Sequence, residues 1–194
     1  MMPNNIEKNI KKLRELFDEE SIDAYIVPHE DEFLTEYVPH HSERLSFITG
    51  FTGSAGLAII TKNKAVIFVD GRYTTQVKLE TSNKIFDYQD FNNTDIENWI
   101  KKNIDQQSQI GFCSMTISFD KLTSFKNFVK NMEITFKKTD NLIDKIWLER
   151  PKQNNGLIYE HKSKFSGVSH KEKKQLIIKE IIKEDCDSLF ISEP

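Results

Sequence analysis

The chain has 194 residues, a formal net charge of -3, 38% hydrophobic residues and 29% charged residues. This composition is typical of a globular protein with a buried core, and its acidic balance gives no field that would attract nucleic acid or an anionic membrane. The apolar runs are too short to span a bilayer, and a charged helix rather than an apolar signal region opens the sequence, so the cytoplasm is the expected compartment.

Cys113 and Cys186 are the two cysteines of the chain. They are too few and too far apart for a disulfide framework or a four-ligand zinc site. Each is bounded by apolar residues or a strand start, so each is expected to act as a small buried hydrophobe.

Lysine outnumbers arginine by 23 to four, which makes the positions of the arginines informative. A chain that uses lysine almost everywhere is expected to keep arginine where a planar, bidentate fork matters. Arg14 is predicted on a solvated helix face, where it has little consequence. Arg44, Arg72 and Arg150 lie beside turn or linker signals, and Arg44 and Arg150 are expected to make contacts between elements or domains.

The first elements follow from apolar spacing. Residues 5–20 are predicted to form an amphipathic helix, because Ile6, Ile10, Leu13 and Phe17 recur on one helical face. A short buried strand is predicted over residues 23–28. The acidic segment of residues 29–41 is expected to be a loop or short helix, and its adjacent His40 and His41 are more often exposed than metal-ligating.

The stretch from Arg44 to Tyr73 is the most constrained part of the chain and holds four of its seven glycines. Gly50, Gly53 and Gly56 recur at three-residue spacing, which suggests a phosphate-binding loop as one interpretation. Such a loop requires a helix N-terminus after the glycines. An apolar strand over residues 57–61 follows instead, so the glycines are predicted to form a tight bend.

A hairpin follows the bend. Lys62-Asn63 is a two-residue turn signal, and residues 64–69 form the partner strand. Asp70-Gly71 ends that strand, and a helix is predicted from about Arg72 to Glu80. Arg72 therefore lies at the carboxyl edge of a buried strand, where α/β proteins place functional side chains.

The rest of the pattern alternates strand and helix. Further strands are predicted over residues 85–88, 109–113 and 133–136. Thr94 with Glu97 is predicted as a capping box, Ser118 as a helix cap, and residues 142–147 as a short helix. The fold class is α/β, with a mixed sheet because of the hairpin, flanked by helices in ribonuclease-H-like layering.

Composition then changes. Residues 148–168 are predicted to be a linker after a domain of residues 1–147. Ser169 with Glu172 is a second capping box, and residues 187–191 are predicted to form a strand. One helix and one strand cannot bury a core, so residues 169–194 are expected to be the incomplete start of a second, similar domain.

Several segments together resemble the N-terminal part of aminopeptidase P, the Xaa-Pro aminopeptidase of the creatinase/prolidase superfamily. GFTGSAG followed by DGRY, and DKIW-x-x-RP at the linker, are specific in combination. The matching segments are IDAYIVPHEDEFLTEYV, RLSFITGFTGSAGLAIIT, VDGRYTTQ, NLIDKIWLERP, FSGVSHKEKK and DSLFISEP. The resemblance covers essentially the whole chain and is to the long, three-domain form of the enzyme.

The resemblance implies a creatinase N-terminal-like α/β domain followed by a second domain of similar fold. It also implies a separate pita-bread catalytic domain that carries two metal ions, usually manganese. None of the ligand motifs of that domain is present, so no catalytic residue, metal ligand or cofactor is assigned to this chain. The implied partners are the catalytic domain, a peptide with proline at its second position and a possible second copy of the chain.

Arg72 is the one functional residue that the resemblance transfers. It matches the arginine of the DGRY motif, which in the family lies close to the active-site cleft and is similar to one that touches the substrate. A guanidinium can bind a peptide carbonyl or carboxylate bidentately. The alternative is that Arg72 pairs with a nearby carboxylate such as Glu36 or Asp70. Asp70 itself is expected to be a turn and cap residue.

Three functions are compatible with these observations to different degrees. The first is a non-catalytic portion of an Xaa-Pro aminopeptidase that shapes the substrate cleft and is inactive alone. The second is a stand-alone module that binds a peptide or a partner protein. The third is a ribonuclease-H-like nuclease, which the sequence disfavours because its strands end in a single carboxylate, Asp70.

Overall fold

A six-stranded mixed sheet organises the first of the two units into which the chain divides, Met1–Lys152 and Gln153–Pro194. The structure, a computed structural model, describes residues 3–153 and 156–191. The strands are β1 (Ala24–Pro28), β2 (Gly56–Thr61), β3 (Ala65–Val69), β4 (Asp87–Asp90), β5 (Gln109–Cys113) and β6 (Thr135–Thr139). They lie in the order β4-β3-β2-β1-β5-β6.

One strand runs against the others. β2 pairs antiparallel with β1 and β3, whereas β1 with β5, β3 with β4, and β5 with β6 are parallel. The predicted Lys62-Asn63 turn closes the β2–β3 hairpin, where the Thr61 N–H donates to the Lys64 carbonyl at 2.8 Å. All strands except β2 therefore end at one edge of the sheet, and β2 begins there. This confirms the predicted mixed sheet.

Six helices accompany the sheet within residues 3–152. They are α1 (Pro3–Glu19), α2 (Arg44–Thr49), α3 (Thr74–Glu80), α4 (Asn93–Asn103), α5 (Phe119–Phe128) and α6 (Leu142–Ile146), with a 3-10 turn at His40–Ser42. Among the helices of residues 3–153 and 156–191, none has both the length and the apolarity needed to cross a membrane.

The sheet is covered on both faces, which explains why its central strands are apolar throughout. In β1, Tyr25 and Val27 join the core that contains α1, α2, α3 and α6. Ala24 and Ile26 join the second core, which contains α4 and α5. The period-two alternation of a strand thus divides one buried segment between two cores.

α2 is a helix that the sequence pattern did not predict. It is six residues long and buries Leu45, Phe47 and Ile48. Gly50 ends it in the left-handed conformation, with φ of 85°, which glycine adopts without a Cβ penalty. This first glycine of the bend is therefore a helix terminator.

The start of α4 differs from its predicted capping box at Thr94 and Glu97. Asn92 is the N-cap, because its side-chain carbonyl accepts the Asp95 N–H at 2.9 Å. Asparagine in the extended conformation caps at least as well as threonine, so the helix starts two residues earlier. The predicted caps at Ser118 and Ser169 are confirmed.

The prediction that Arg14 lies on a solvated helix face with little consequence is wrong. Its Nε donates to the Thr61 carbonyl at 2.9 Å and its Nη2 to the Lys64 carbonyl at 3.2 Å. These carbonyls flank the hairpin turn, so Arg14 ties the first helix to the β2–β3 hairpin.

An ion-pair network around the buried Arg44 side chain joins the loop after β1 to the end of the first unit. Arg44, whose side chain is 4% exposed, binds Asp144 through Nε at 2.7 Å and Nη2 at 3.0 Å. Its Nη2 also donates to Glu32 at 2.6 Å. Arg150 donates to Asp144 at 2.7 Å and to the His41 carbonyl at 2.6 Å. The predicted inter-element roles of Arg44 and Arg150 are confirmed.

The Glu32 carboxylate is expected to make the stability of this network acid-sensitive. Burial raises the pKa of Glu32, but the hydrogen bond and charge of Arg44 outweigh it, and the pKa lies below its ordinary value of 4.5. A depressed pKa contributes stability that is complete above the unfolded pKa and is lost as pH falls through the folded one. Wild-type urea midpoints should therefore exceed those of Glu32→Gln near neutrality and converge toward them as pH falls below the ordinary value of 4.5. Glu7→Gln, at an exposed position on α1, is the control, and a pH-independent difference for Glu32→Gln would contradict the expectation.

The second unit contains two helices in its described part, α7 (Ser163–Ser166) and α8 (His170–Lys183). The Ser169–Glu172 capping box starts α8. Residues 187–191 do not form the predicted strand, because no other strand lies in the described part of this unit to pair with them. Cys113 is buried as predicted, but Cys186 is exposed, so its predicted burial is wrong.

Candidate functional site

Arg72 lies in a tight turn that follows β3 at the carboxyl edge of the sheet. The Tyr73 N–H donates to the Asp70 carbonyl at 3.0 Å, and α3 begins at Thr74 rather than at Arg72. The Arg72 side chain is 63% exposed. The turn therefore presents a guanidinium to solvent at the edge where five strands end.

Asp70 holds one edge of that guanidinium. Arg72 Nε lies 3.2 and 3.1 Å from the two Asp70 carboxylate oxygens, and Nη2 lies 2.7 Å from Oδ2. The Arg72 backbone N–H also donates to Asp70 Oδ1 at 2.9 Å. The hydrogen bonds from Arg72 hold the pKa of Asp70 below its usual range. Of the two carboxylates considered, Asp70 is the partner, and Glu36 instead accepts from Ser54.

The pairing leaves the outer edge of the Arg72 fork available. Asp70 engages Nε and Nη2, and Nη1 has no hydrogen-bond partner among the residues that the structure describes. A guanidinium carries five donors in a fixed plane, so one edge can hold a carboxylate while another binds a second planar acceptor. Pairing with Asp70 and binding of a ligand are therefore compatible.

Tyr73 connects this turn to the glycine bend. Its hydroxyl lies 2.8 Å from Ser54 Oγ, which donates to Glu36 Oε1 at 3.1 Å. Its ring lies edge-on to Phe51, with centroids 5.6 Å apart. Sequence reasoning missed Ser54, although the pairing of Gly56 with Val69 across the hairpin places residues 54 and 71 on neighbouring chain ends.

A cleft opens beside this group. One part, about 150 Å³ in volume, is lined by His29, Glu36, Phe51 and Ser54 among others. A second part of about 200 Å³ shares His29, Glu36 and Ser54 and adds Leu34. His29 Nε2 lies 2.8 Å from the Glu36 carbonyl, which fixes the wall of the cleft. The cleft is small, and Arg72 lines neither of its two parts.

Metal chemistry has no donor set in the described ranges 3–153 and 156–191. They contain no group of three or more His, Cys, Asp or Glu side chains able to hold a metal ion. His40 Nδ1 lies 3.1 Å from Glu43, and the His41 carbonyl accepts from Arg150. The glycine bend leads into β2 rather than into a helix, so it offers no helix N-terminus to a phosphate.

Curated relatives extend well beyond this chain. A probable Xaa-Pro aminopeptidase P of Coprinopsis cinerea is 34% identical over 191 residues, which are 95% of this chain and 30% of the relative. The Xaa-Pro aminopeptidase 1 of Dictyostelium discoideum is 32% identical, over 96% of this chain and 32% of its own length. The chain thus spans about a third of the length of these relatives.

Solved structures share the fold. The X-prolyl aminopeptidase of Caenorhabditis elegans, a cytosolic enzyme with a di-nuclear active site, superimposes with a TM-score of 0.83 at 22% identity. That superposition covers 94% of this chain and 32% of the enzyme. The N-terminal domain of the cytoplasmic peptidase PepQ from Mycobacterium tuberculosis gives a TM-score of 0.57 at 16% identity, over 72% of this chain and 98% of that domain.

The family assignment rests on a match to most of the first unit. The model of the Creatinase/Prolidase N-terminal domain matches residues 9–146, a range that includes the sheet, the glycine bend and the Arg72 turn. The chain belongs to the creatinase/prolidase N-terminal domain family.

Proposed function

We propose that this chain is the non-catalytic front of an Xaa-Pro aminopeptidase, in which Arg72 binds the peptide substrate at the edge of a cleft completed by a catalytic domain. The observation that carries the proposal is the exposed Arg72 fork, held along one edge by Asp70 with Nη1 left for a ligand. A peptide carbonyl or carboxylate is the planar acceptor that this edge suits. The parent enzyme would release the residue that precedes proline.

The described residues do not fit a dinuclear metal centre, because they bring no three potential ligands together. Two metal ions, manganese in this proposal, would belong to the catalytic pita-bread domain outside this chain. No chemical step is assigned to residues of this chain. Its part in the reaction is to bind and orient the peptide and to restrict the width of the cleft.

The proposal includes an organisation and a location. Residues 1–147 form the N-terminal domain, 148–168 a linker and 169–194 the start of a second domain. The cytosolic Caenorhabditis enzyme supports a cytoplasmic parent. The greater length of the relatives supports a parent with several domains. A homodimer is part of the same proposal. Binding to nucleic acid or membrane is not proposed, because the net charge is -3.

A peptide titration tests the role of Arg72. We expect Ala-Pro-Ala to bind the 194-residue chain and Arg72→Ala to weaken that binding about fivefold, because a charged hydrogen bond at an exposed site is screened by water. Arg72→Lys should not restore affinity, since lysine lacks the fork. Nuclear magnetic resonance titration measures these weak affinities.

Lys78→Ala is the matched control, since it removes one positive charge from an exposed position on the neighbouring helix α3. Equal affinity of wild type and Arg72→Ala would reject the assigned role. Turnover of an Xaa-Pro peptide by the chain alone with manganese would reject the non-catalytic assignment.

A further inference from the structure

The two sequence motifs GFTGSAG and DGRY form one structural unit, in which the Tyr73 ring fills a socket made by the glycine bend. A Cβ at Gly53 would lie 2.8 Å from Tyr73 Cδ1 and 2.3 Å from Phe51 Cζ. Real Cβ atoms essentially never approach so closely, so glycine at position 53 is what admits the two rings. A side chain at position 53 would therefore displace Tyr73 from the bend.

The far end of Tyr73 is fixed by a directed hydrogen-bond chain. Ser54 Oγ lies 2.8 Å from the Tyr73 hydroxyl and 3.1 Å from Glu36 Oε1. Ser54 donates its single hydroxyl proton to Glu36. The Tyr73 hydroxyl must then donate to Ser54. This polarity anchors the ring to both the bend and the loop after β1.

The anchored ring supports Arg72. The Arg72 Cζ atom lies 5.2 Å from the Tyr73 ring centroid, within the range of a cation–π contact. Asp70 fixes one edge of the guanidinium, but an ion pair alone allows the plane to swing about that edge. The ring restricts the swing, so the outer edge keeps one direction.

We propose that Tyr73 is a positioning residue for Arg72, with Ser54 and Glu36 setting the position of Tyr73. This rests on the proposed function, in which Arg72 binds the peptide. The arrangement selects a ligand with a planar carbonyl or carboxylate that meets the guanidinium edge-on. Glu36 and Ser54 line the cleft and do not contact Arg72 in the described residues. They affect the orientation of Arg72 through Tyr73.

Arginine side-chain resonances test the proposal directly, because four arginines give four Nε–Hε signals in the 194-residue chain. The Arg72 signal should carry a ring-current shift from Tyr73 and exchange slowly with water. Tyr73→Leu should abolish the shift and speed Hε exchange about two- to fivefold, the value expected for an exposed cation–π contact. Affinity for Ala-Pro-Ala should fall by the same factor.

Conservative variants separate the ring from the hydroxyl. Tyr73→Phe should restore the ring-current shift but leave intermediate exchange, and Ser54→Ala should resemble it, because both lose the same anchor. These two variants keep the core ring and test the proposal if Tyr73→Leu does not fold. Tyr159→Leu is the control, since Tyr159 is 82% exposed and makes no hydrogen bond or ring contact with another described residue.

Each outcome has a distinct meaning. An Arg72 signal unchanged in shift and exchange by Tyr73→Leu, Tyr73→Phe and Ser54→Ala would overturn the positioning role. Signals that respond to these variants but not to added peptide would overturn the proposed function while supporting the placement of Arg72 by Tyr73. Responses to both the variants and the peptide support both.

Discussion

Replacing Asp144 with alanine is expected to lower the free energy of unfolding of the first unit by about 3 kcal/mol. Asp144 accepts from Arg44 through two nitrogens and from Arg150 through a third. Its loss leaves the guanidinium of Arg44 buried with Glu32 as its remaining carboxylate partner. The expected value is at the lower end of the range of about 3–5 kcal/mol for breaking a buried pair, because Glu32 still compensates part of the charge.

Urea unfolding followed by circular dichroism measures this loss. Asp140→Ala is the matched control, because Asp140 is exposed, lies four residues earlier, and its carboxylate makes no hydrogen bond or ion pair within residues 3–153 and 156–191. Asp144→Asn should cost less than Asp144→Ala, since the amide keeps one acceptor. Equal destabilisation by Asp140→Ala and Asp144→Ala would show that the network contributes nothing specific.

Replacing Gly53 with alanine is expected to destabilise the first unit by about 2 kcal/mol and to displace Tyr73. The added Cβ would meet Phe51 Cζ at 2.3 Å and Tyr73 Cδ1 at 2.8 Å. Phe51 is 1% exposed and cannot move away, so the strain falls on the half-buried Tyr73. Thermal unfolding gives the loss of stability, and the Arg72 Nε–Hε shift reports the displaced ring.

Gly71→Ala is the control for this substitution within the same unit. A Cβ at Gly71 meets nothing within 4 Å, and its φ is not in the left-handed region. Alanine there should be neutral or stabilising by about 0.4–1 kcal/mol through the unfolded chain. Equal losses of stability on Gly53→Ala and Gly71→Ala would contradict the packing of Tyr73 against Gly53 as the cause.

Long periodic or fully apolar segments could be predicted from the sequence, whereas short elements could not. The helix at Pro3–Glu19 and the hairpin strands followed from spacing and turn residues. α2 was missed because six residues have little intrinsic helical preference, and tertiary burial of Leu45 and Ile48 decides their conformation. The strand predicted over residues 187–191 has no neighbouring strand in the part of its unit that the structure describes, and local propensity alone does not make a strand.

In the candidate site, too, local sequence patterns predicted some features, whereas tertiary packing decided others. Arg72 could be singled out because arginine is rare in the chain and lies at a strand end. The sequence left two carboxylate partners for Arg72, Glu36 and Asp70. Asp70 could be proposed because residues two apart in a turn can meet without any long-range contact. The Tyr73–Ser54–Glu36 chain depends on packing between the bend, the turn and the loop after β1, and separations of 18 and 19 residues leave no local pattern. Arg14 was misjudged for the same reason, because its acceptors are backbone carbonyls far along the chain.

The long-range closure of the first unit has a consequence for its biosynthesis. Arg44 and Asp144 are separated by 100 residues in the sequence. The Tyr25 hydroxyl and the Leu142 N–H, which donates to it at 3.1 Å, are separated by 117 residues. During translation, the N-terminal helix, the hairpin and Arg44 leave the ribosome before the segment that pairs with them exists. The nascent chain therefore carries a guanidinium that has Glu32 but not yet Asp144 as a partner, and an open apolar face, until α6 emerges. Its last folding step follows synthesis of residue 150.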